Sequence, residues 1–259
     1  MASRPTCPAG SRPAHRSAYR RQAVIGLTLA AAVVAAWLSI HVLAMFFFEL
    51  TWASLPLALL LAAVQCWLSV GLFIISHDAM HGSLVPGARR INSAIGAALL
   101  FLYAGFSWKR MRSAHFDHHR LAGKPGDPDF DEDNPSHFWR WYGTFLKRYF
   151  GKQSILFVSS VVTIYWLVLG VPVQNIVLLY GLPAIASSMQ LFYFGTYRPH
   201  RHDERGFADR HNARSDDFGS FASLASCFHF GYHHEHHCRA DIPWWALPRI
   251  RRENMQKER

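Results

Sequence analysis

Charged residues are missing from three long stretches of this 259-residue sequence, namely residues 22–48, 50–76 and 154–197. About 20 mostly apolar residues are enough for a helix to cross a bilayer. The three stretches therefore exclude an ordinary soluble globular protein. A disordered polyelectrolyte is excluded as well, because 51% of the residues are hydrophobic.

Cysteine is also scarce. The four cysteines stand at positions 7, 66, 227 and 238, with no C-x-x-C pair among them. A thiolate zinc site and a disulfide framework both need closely spaced or numerous cysteines. The sequence therefore argues against both.

Acidic residues are few, and the basic residues are unevenly placed. The sequence has 17 Asp plus Glu against 27 Lys plus Arg, and all the basic residues lie within residues 4–21, 89–153 and 198–259. The positive-inside rule assigns such regions to the cytoplasm. In that reducing compartment, the cysteines at 227 and 238, and the one at 7, are expected to be free thiols.

The length of each uncharged block predicts how many helices cross the membrane. The block at residues 91–107 has 17 residues, which is the short limit for a span, whereas the block at 154–197 has 44 and is long enough for two passes. The expected fold is all-α and integral to the membrane, with four transmembrane helices and a short re-entrant or interfacial helix. A cytoplasmic helical cap is expected to carry the functional site.

The same reasoning predicts three parts of the chain. Residues 1–21 would be a basic cytoplasmic tail, residues 22–249 the membrane domain, and residues 250–259 a charged C-terminal tail. With this topology, every polar region longer than a short loop reaches the same face of the membrane.

Histidine is abundant, with sixteen residues, and it is clustered. Side chains three and four positions apart share one face of a helix. Adjacent imidazoles repel one another when protonated, whereas a metal ion accepts all their lone pairs at once. We therefore predict that three clusters bind metal together. The clusters are His77 and His81; His115, His118 and His119; and His233, His236 and His237.

Eight imidazoles exceed the four ligands of a zinc site and suit two metal ions that each keep an open position. Two redox-active irons that activate oxygen for a lipid-soluble substrate are the favoured interpretation. Catalytic zinc for hydrolysis stays open as an alternative, with Asp78, Asp117 or Glu235 as the base. Asp78 and Asp117 are the candidate catalytic residues.

Several short motifs resemble one family. They are H-D-A-M-H-G at 77–82, H-F-D-H-H-R at 115–120, D-R-H-N-A-R-S at 209–215, H-H-E-H-H at 233–237 and P-W-W at 243–245. These motifs closely resemble bacterial β-carotene ketolases of the membrane fatty-acid desaturase and hydroxylase superfamily. The histidine clusters alone indicate only the superfamily, and the flanking motifs narrow it to the ketolase group.

The resemblance implies a di-iron cofactor whose ligands are the eight clustered histidines. It also implies His211 as an additional ligand, because related desaturases draw one from the segment before the third cluster, and Asn212 could support it. For His200, a metal ligand and a solvated loop position are both open, and His234 is a further candidate. No metal role is expected for His15, His41 or His137.

The reaction implied by the resemblance is oxidation of the C4 methylene of a β-ionone ring to a ketone, with O2 as co-substrate. Electrons would come from a ferredoxin-type donor. The basic residues Lys109, Arg110, Arg112, Lys147 and Arg148 could dock that donor or anchor anionic lipid headgroups. The implied location is the bacterial inner membrane, with both termini and the metal site in the cytoplasm.

Two other functions stay open from the sequence. A carotenoid ring hydroxylase or a fatty-acid desaturase or hydroxylase would share the irons and differ in product. A non-enzymatic metal carrier is disfavoured, because the apolar stretches contain no carboxylate that could form an ion path.

Overall fold

The computed structural model describes residues 16–204 and 206–257. All the regular structure in this part of the chain is helical, which confirms the all-α prediction. The helices are α1 Arg16–Phe47, α2 Leu55–His81, α3 Arg89–Ala104, α4 Trp108–Leu121, α5 Phe138–Tyr149, α6 Lys152–Val168, α7 Val173–His200, α8 Ser220–Cys227, α9 His233–Cys238 and α10 Leu247–Lys257, with a 3-10 turn at Trp244–Ala246.

Three helices, α1, α2 and α7, are long and apolar enough to cross a membrane. Two bent pairs also pass the same test of length and composition: α3 with α4, which meet at 100°, and α5 with α6, which meet at 85°. The number of spans is therefore three, or up to five if each bent pair is one span. The predicted short block at 91–107 lies mostly within α3, directly before the first bend.

Helix α2 is the centre of the bundle, because it packs against α1, α3 and α7. Its own residues explain this position, since it is apolar on nearly every face. Gly71 lets a neighbour approach closely: a Cβ atom there would lie 2.6 Å from Cζ of Phe228. Gly96 on α3 does the same for Trp108, whose Cζ3 would be 2.2 Å from a Cβ.

The bend between α3 and α4 depends on Gly105. This residue ends α3 in the left-handed region, at φ +66, and a Cβ there would lie 2.5 Å from the Cβ of Phe157. Only glycine combines that backbone conformation with so close a neighbour. The bend turns α4 away from the bundle axis, so that its histidines face the end of α2.

Both predicted tails contain helix. Helix α1 begins at Arg16, inside the predicted tail, whose residues 1–15 lie outside the described residues. Helix α10 crosses the predicted boundary at 249–250, and its Arg251 bonds to Glu235 on α9 and to Asp217. The C-terminal helix is thus joined to the segment that carries the third histidine cluster.

Candidate metal centre

Three helices deliver the clustered histidines to one place. His77 and His81 occupy the last turns of α2, which ends at His81 and is capped by Gly82 in the left-handed region. The second cluster lies on α4 and the third on the short helix α9. Before α9, Phe228 and His229 both have positive φ, 49° and 63°, and this tight turn directs α9 back toward α2 and α4.

The histidines form two groups, and within each group the possible ligand atoms all lie within 4.8 Å of one another. The first group contains His77, His81, His115, His119 and His236. The second contains His118, His200, His233 and His237. All eight histidines of the three predicted clusters are therefore brought together, divided between two adjacent sites.

His200, which the sequence left open, belongs to the second group. It lies at the end of α7 and is 1% exposed, so the solvated loop interpretation is wrong. His211 lies in neither of these groups. Its ring centroid is 6.1 Å from that of His237, and the segment at 209–212 places it beside Asp209 instead. The structure thus brings a different ninth histidine to the site from the one the resemblance implied.

The ring nitrogen atoms converge on one another in an arrangement that bound metal ions would explain. Nε2 of His81 lies 2.6 Å from Nε2 of His115, and Nε2 of His233 lies 2.9 Å from Nε2 of His200. Both nitrogens of His77 and Nε2 of His118 are buried without a hydrogen-bond partner. Buried polar atoms are rarely left unpaired in proteins. Metal ions would satisfy these converging lone pairs, and an all-imidazole donor set suits iron, copper or zinc.

Burial keeps the third cluster in the form that binds metal. It lowers the pKa of His233, His236 and His237 well below the ordinary value, and the neighbouring imidazoles lower it further. The rings are therefore neutral near pH 7. A neutral imidazole has a lone pair available to a metal ion.

Carboxylate and carbonyl groups accept hydrogen bonds from the Nδ1 atoms of two of these imidazole rings. Nδ1 of His118 donates to Asp127 at 3.0 Å, and Nδ1 of His200 donates to the carbonyl oxygen of Asn212 at 2.7 Å. Burial alone would raise the pKa of Asp127, but its hydrogen bond with His118 holds that pKa below the ordinary value. These contacts fix the tautomer that turns Nε2 toward the metal position.

The acidic loop after α4 is buried at its key position. Asp127 is 4% exposed, because the backbone N–H groups of Gly123 and Asp129 also bond to its carboxylate. The sequence signal was present: alternating aspartates in a loop rich in glycine and proline follow the second cluster directly. Carboxylates commonly orient metal-binding imidazoles in this way.

Replacement of Asp127 by alanine is expected to weaken metal binding by about 10–100-fold, since His118 would lose the group that orients it. The measurement is anaerobic titration of metal-free protein with ferrous iron, followed by the iron retained per chain. Asp133→Ala is the matched control, because Asp133 is an exposed acid of the same loop. Equal iron affinity in the two variants would contradict the prediction.

Neither predicted catalytic aspartate belongs to the two histidine groups, although Oδ1 of Asp78 lies 3.9 Å from Nδ1 of His77. Asp78 is buried, and its carboxylate accepts a hydrogen bond from the backbone N–H of Trp244 at 3.0 Å. The side chain of Asp117 is 44% exposed and pairs with Arg120. Asp78 therefore ties the P-W-W segment to α2, and Asp117 belongs to the surface of α4.

Asp209, His211 and Cys238 form a third small group of possible ligands. Cys238 is disulfide-bonded, so it offers no thiolate and the expectation of a free thiol is wrong there. That expectation came from an inferred compartment and not from the positions of the sulfur atoms. Cys227 is free, as predicted, and Cys7 lies outside the described residues.

A cavity of about 830 Å³ runs from the histidines into the helical bundle. Its wall is almost entirely apolar and includes His77, His118 and His233 at one end. Thr196 and Val177 on α7 both line it and are 19 residues apart, which corresponds to roughly 28 Å of helix. That length is close to the thickness of the hydrocarbon core of a bilayer, about 30 Å.

One side of the cavity reaches the apolar outer surface of the bundle. Val177 and Ile185 on α7 line it and are 62% and 61% exposed. Val158 and Val162 of α6 also line the cavity. The cavity can therefore accept a long apolar molecule, with one end held beside the metal ligands.

Comparisons with known proteins agree with this geometry. The family model for fatty acid desaturases matches residues 50–158 and 151–258. A β-carotene ketolase of Paracoccus sp. (strain PC1) is 48% identical over 230 residues, covering 88% of this chain and 93% of that protein. A β-carotene ketolase of Paracoccus sp. (strain N81106 / MBIC 01143) is 49% identical over 226 residues, covering 87% and 91%. A zeaxanthin 4-ketolase of Chlamydomonas reinhardtii is 33% identical over 239 residues, covering 87% and 53%.

Proposed function

Because the chain belongs to the fatty acid desaturase family, and resembles the β-carotene ketolases within it, we propose that it is a carotenoid ketolase. It converts the C4 methylene of the β-ionone ring of β-carotene to a ketone. The observation that carries this proposal is the long apolar cavity that ends at two groups of buried or half-buried histidines. A rod-shaped polyene with a ring at each end matches that shape.

The nine histidines of the two groups are the proposed ligands of two iron ions. Bound iron supplies the activation of O2 that the side chains themselves cannot perform. His211 is left out of this set in favour of His200. All nine ligands are neutral imidazoles, which do not compensate the positive charge of the metal ions. Asp127, which accepts a hydrogen bond from the ring of His118, offsets part of that charge.

The protein positions the substrate and excludes water. The apolar walls replace water around the polyene, and the ring enters the end of the cavity where His77, His118 and His233 meet. Holding C4 beside the metal ligands converts an encounter into a reaction within one complex, which is a large source of rate enhancement.

Ketone formation requires two oxidations of the same carbon. In each, one O2, two electrons and two protons are consumed, one oxygen atom enters a C–H bond, and the other leaves as water. The first gives an alcohol at C4. The second gives a gem-diol, which loses water to become the ketone.

The electrons come from a ferredoxin-type donor in this proposal. Lys109, Arg110 and Arg112 on α4, with Lys147 and Arg148 on α5, form its basic docking surface. Opposite charges accelerate the encounter of such partners. We also propose that the chain crosses the inner membrane four times, with the metal centre and both termini in the cytoplasm.

Pigment analysis tests the proposal. Bacteria that accumulate β-carotene are grown in air with the gene, without it, and with a His118→Ala variant. Their pigments are separated by chromatography and identified by mass spectrometry. We expect 4-oxo carotenoids only with the unsubstituted gene. Hydroxylated carotenoids or altered fatty acids would instead identify one of the related oxygenases. Unchanged pigments, with the protein and its iron confirmed in the membrane, would contradict a ketolase.

A further inference from the structure

A tyrosine and a carboxylate form a polar pair in the metal end of the cavity. The hydroxyl of Tyr149 donates a hydrogen bond to Oδ1 of Asp129. Oδ2 of Asp129 lies 3.8 Å from Nδ1 of His118, and all three residues line the cavity. Tyr149 also packs beside Met80 and Met111, next to the first and second histidine clusters. The pair therefore lies where the reacting ring would be.

The other tyrosines bonded along this wall have a different role. The hydroxyl of Tyr103 lies 3.0 Å from Oγ of Ser187, and the hydroxyl of Tyr142 lies 2.6 Å from Oγ of Ser188. Both serines belong to α7, so these bonds join helices across the cavity. Tyr149 instead meets a carboxylate on a loop.

The carboxylate has unused capacity to accept hydrogen bonds. An ionised carboxylate offers about four lone-pair positions. Within the described residues, the side chain of Asp129 receives one hydrogen bond, from Tyr149. That side chain is only 14% exposed, although burying such a group in an apolar cavity costs free energy. An unmodified β-ionone ring has no group that could use the pair.

The first oxidation creates such a group. We propose that Tyr149 and Asp129 hydrogen-bond the new hydroxyl at C4 and retain the alcohol beside the metal centre for the second oxidation. The alcohol O–H takes the place of the Tyr149 hydroxyl as a donor to the carboxylate of Asp129, and the single O–H of Tyr149 turns to donate to the alcohol oxygen. This inference rests on the proposed ketolase function, and the pair itself is neither oxidised nor reduced.

The consequence is a ketone in place of a released alcohol. Before the first oxidation the ring has no oxygen, so the pair contributes little to the binding of β-carotene. After it, the hydrogen bonds of the new hydroxyl to Asp129 and Tyr149 slow dissociation of the alcohol. Tyr149 and Asp129 are thus positioning residues that act on the second oxidation more than on the first.

The test is the product ratio of a Tyr149→Phe variant. Cells accumulating β-carotene are sampled over time, and the ratio of 4-hydroxy to 4-oxo carotenoid is measured by chromatography with mass spectrometry. We expect that ratio to rise by at least about tenfold, the effect of losing one hydrogen bond to a bound polar group. Tyr142→Phe is the matched control, since it removes a hydroxyl of the same cavity two helical turns away, and its ratio should not change.

A slow enzyme must be distinguished from one that releases its alcohol early. The unsubstituted protein is therefore expressed at a reduced level, chosen so that it converts the same total amount of β-carotene as the variant. The product ratios of the two proteins are then compared. Iron per chain is measured in each sample. A raised ratio in Tyr149→Phe alone, at normal iron content, supports the proposal.

The outcomes separate this inference from the proposed function. If unsubstituted protein gives no product oxidised at C4, the proposed function fails. If it gives ketone and Tyr149→Phe gives the same product ratio, the retention role fails. If the Tyr149→Phe protein does not accumulate in the membrane, the Asp129→Asn variant is used instead, and its turnover of added 4-hydroxy carotenoid is measured. An unchanged KM for that alcohol would then overturn the inference, and a KM raised several-fold would support it.

Discussion

His200→Ala is expected to lower ketone formation by more than about 100-fold. Loss of a residue that only hydrogen-bonds to a metal ligand already lowers metal affinity or activity by about 10–100-fold, and loss of a ligand should lower them further. The second histidine group would keep three of its four imidazoles. Iron should fall from two ions per chain to about one, since metal affinity depends on the full ligand set. Both quantities are measurable on protein purified from membranes, by turnover assay and by metal analysis.

His211→Ala is the matched comparison for this prediction. His211 belongs to the D-R-H-N-A-R-S motif but lies in neither histidine group. Its replacement should leave two irons per chain and most of the activity. If His211→Ala loses iron while His200→Ala retains it, the proposed ligand set is wrong.

Ala184→Trp is expected to reduce turnover by at least about tenfold without loss of iron, because misplacing a substrate by about 1 Å can cost 100-fold. Ala184 lines the cavity on α7, 16 residues before His200, which corresponds to roughly 24 Å of helix. A tryptophan there would fill space that the polyene needs. Turnover of β-carotene and iron per chain are measured on the same preparation.

Ala35→Trp controls for the addition of a large side chain to a membrane helix. Ala35 is exposed on α1 and does not line the cavity. This variant should keep normal activity. Unchanged turnover in Ala184→Trp would mean that the substrate occupies a different space, and lost iron would mean that the substitution disturbed the metal centre itself.

The sequence was informative where the physical cause is local. Spacing of three and four residues puts imidazoles on one helix face, so the sequence alone pointed to the eight histidines that the structure brings together. Long uncharged blocks likewise predicted α1, α2 and α7. These features depend on neighbouring residues and on the geometry of a single helix.

Features that depend on distant segments meeting could not be derived in this way. His200 becomes a candidate ligand only because the end of α7 meets α9, with 33 positions separating it from His233. Asp127 orients His118 only because the loop folds back on α4. The sharp bends also divide apolar blocks into pairs, so that block length alone did not fix the number of spans.

The separation of the histidine clusters along the chain determines when each set of ligands is synthesised. His77 and His233 are 233 − 77 = 156 residues apart, and Arg251, which bonds to Glu235 beside the third cluster, comes later still. At a synthesis rate of about 5–20 residues per second, the first cluster waits roughly 8–30 s for the third. Iron that reaches the membrane during this interval meets an incomplete set of ligands. We therefore expect the metal centre to be loaded only after the third cluster has been synthesised.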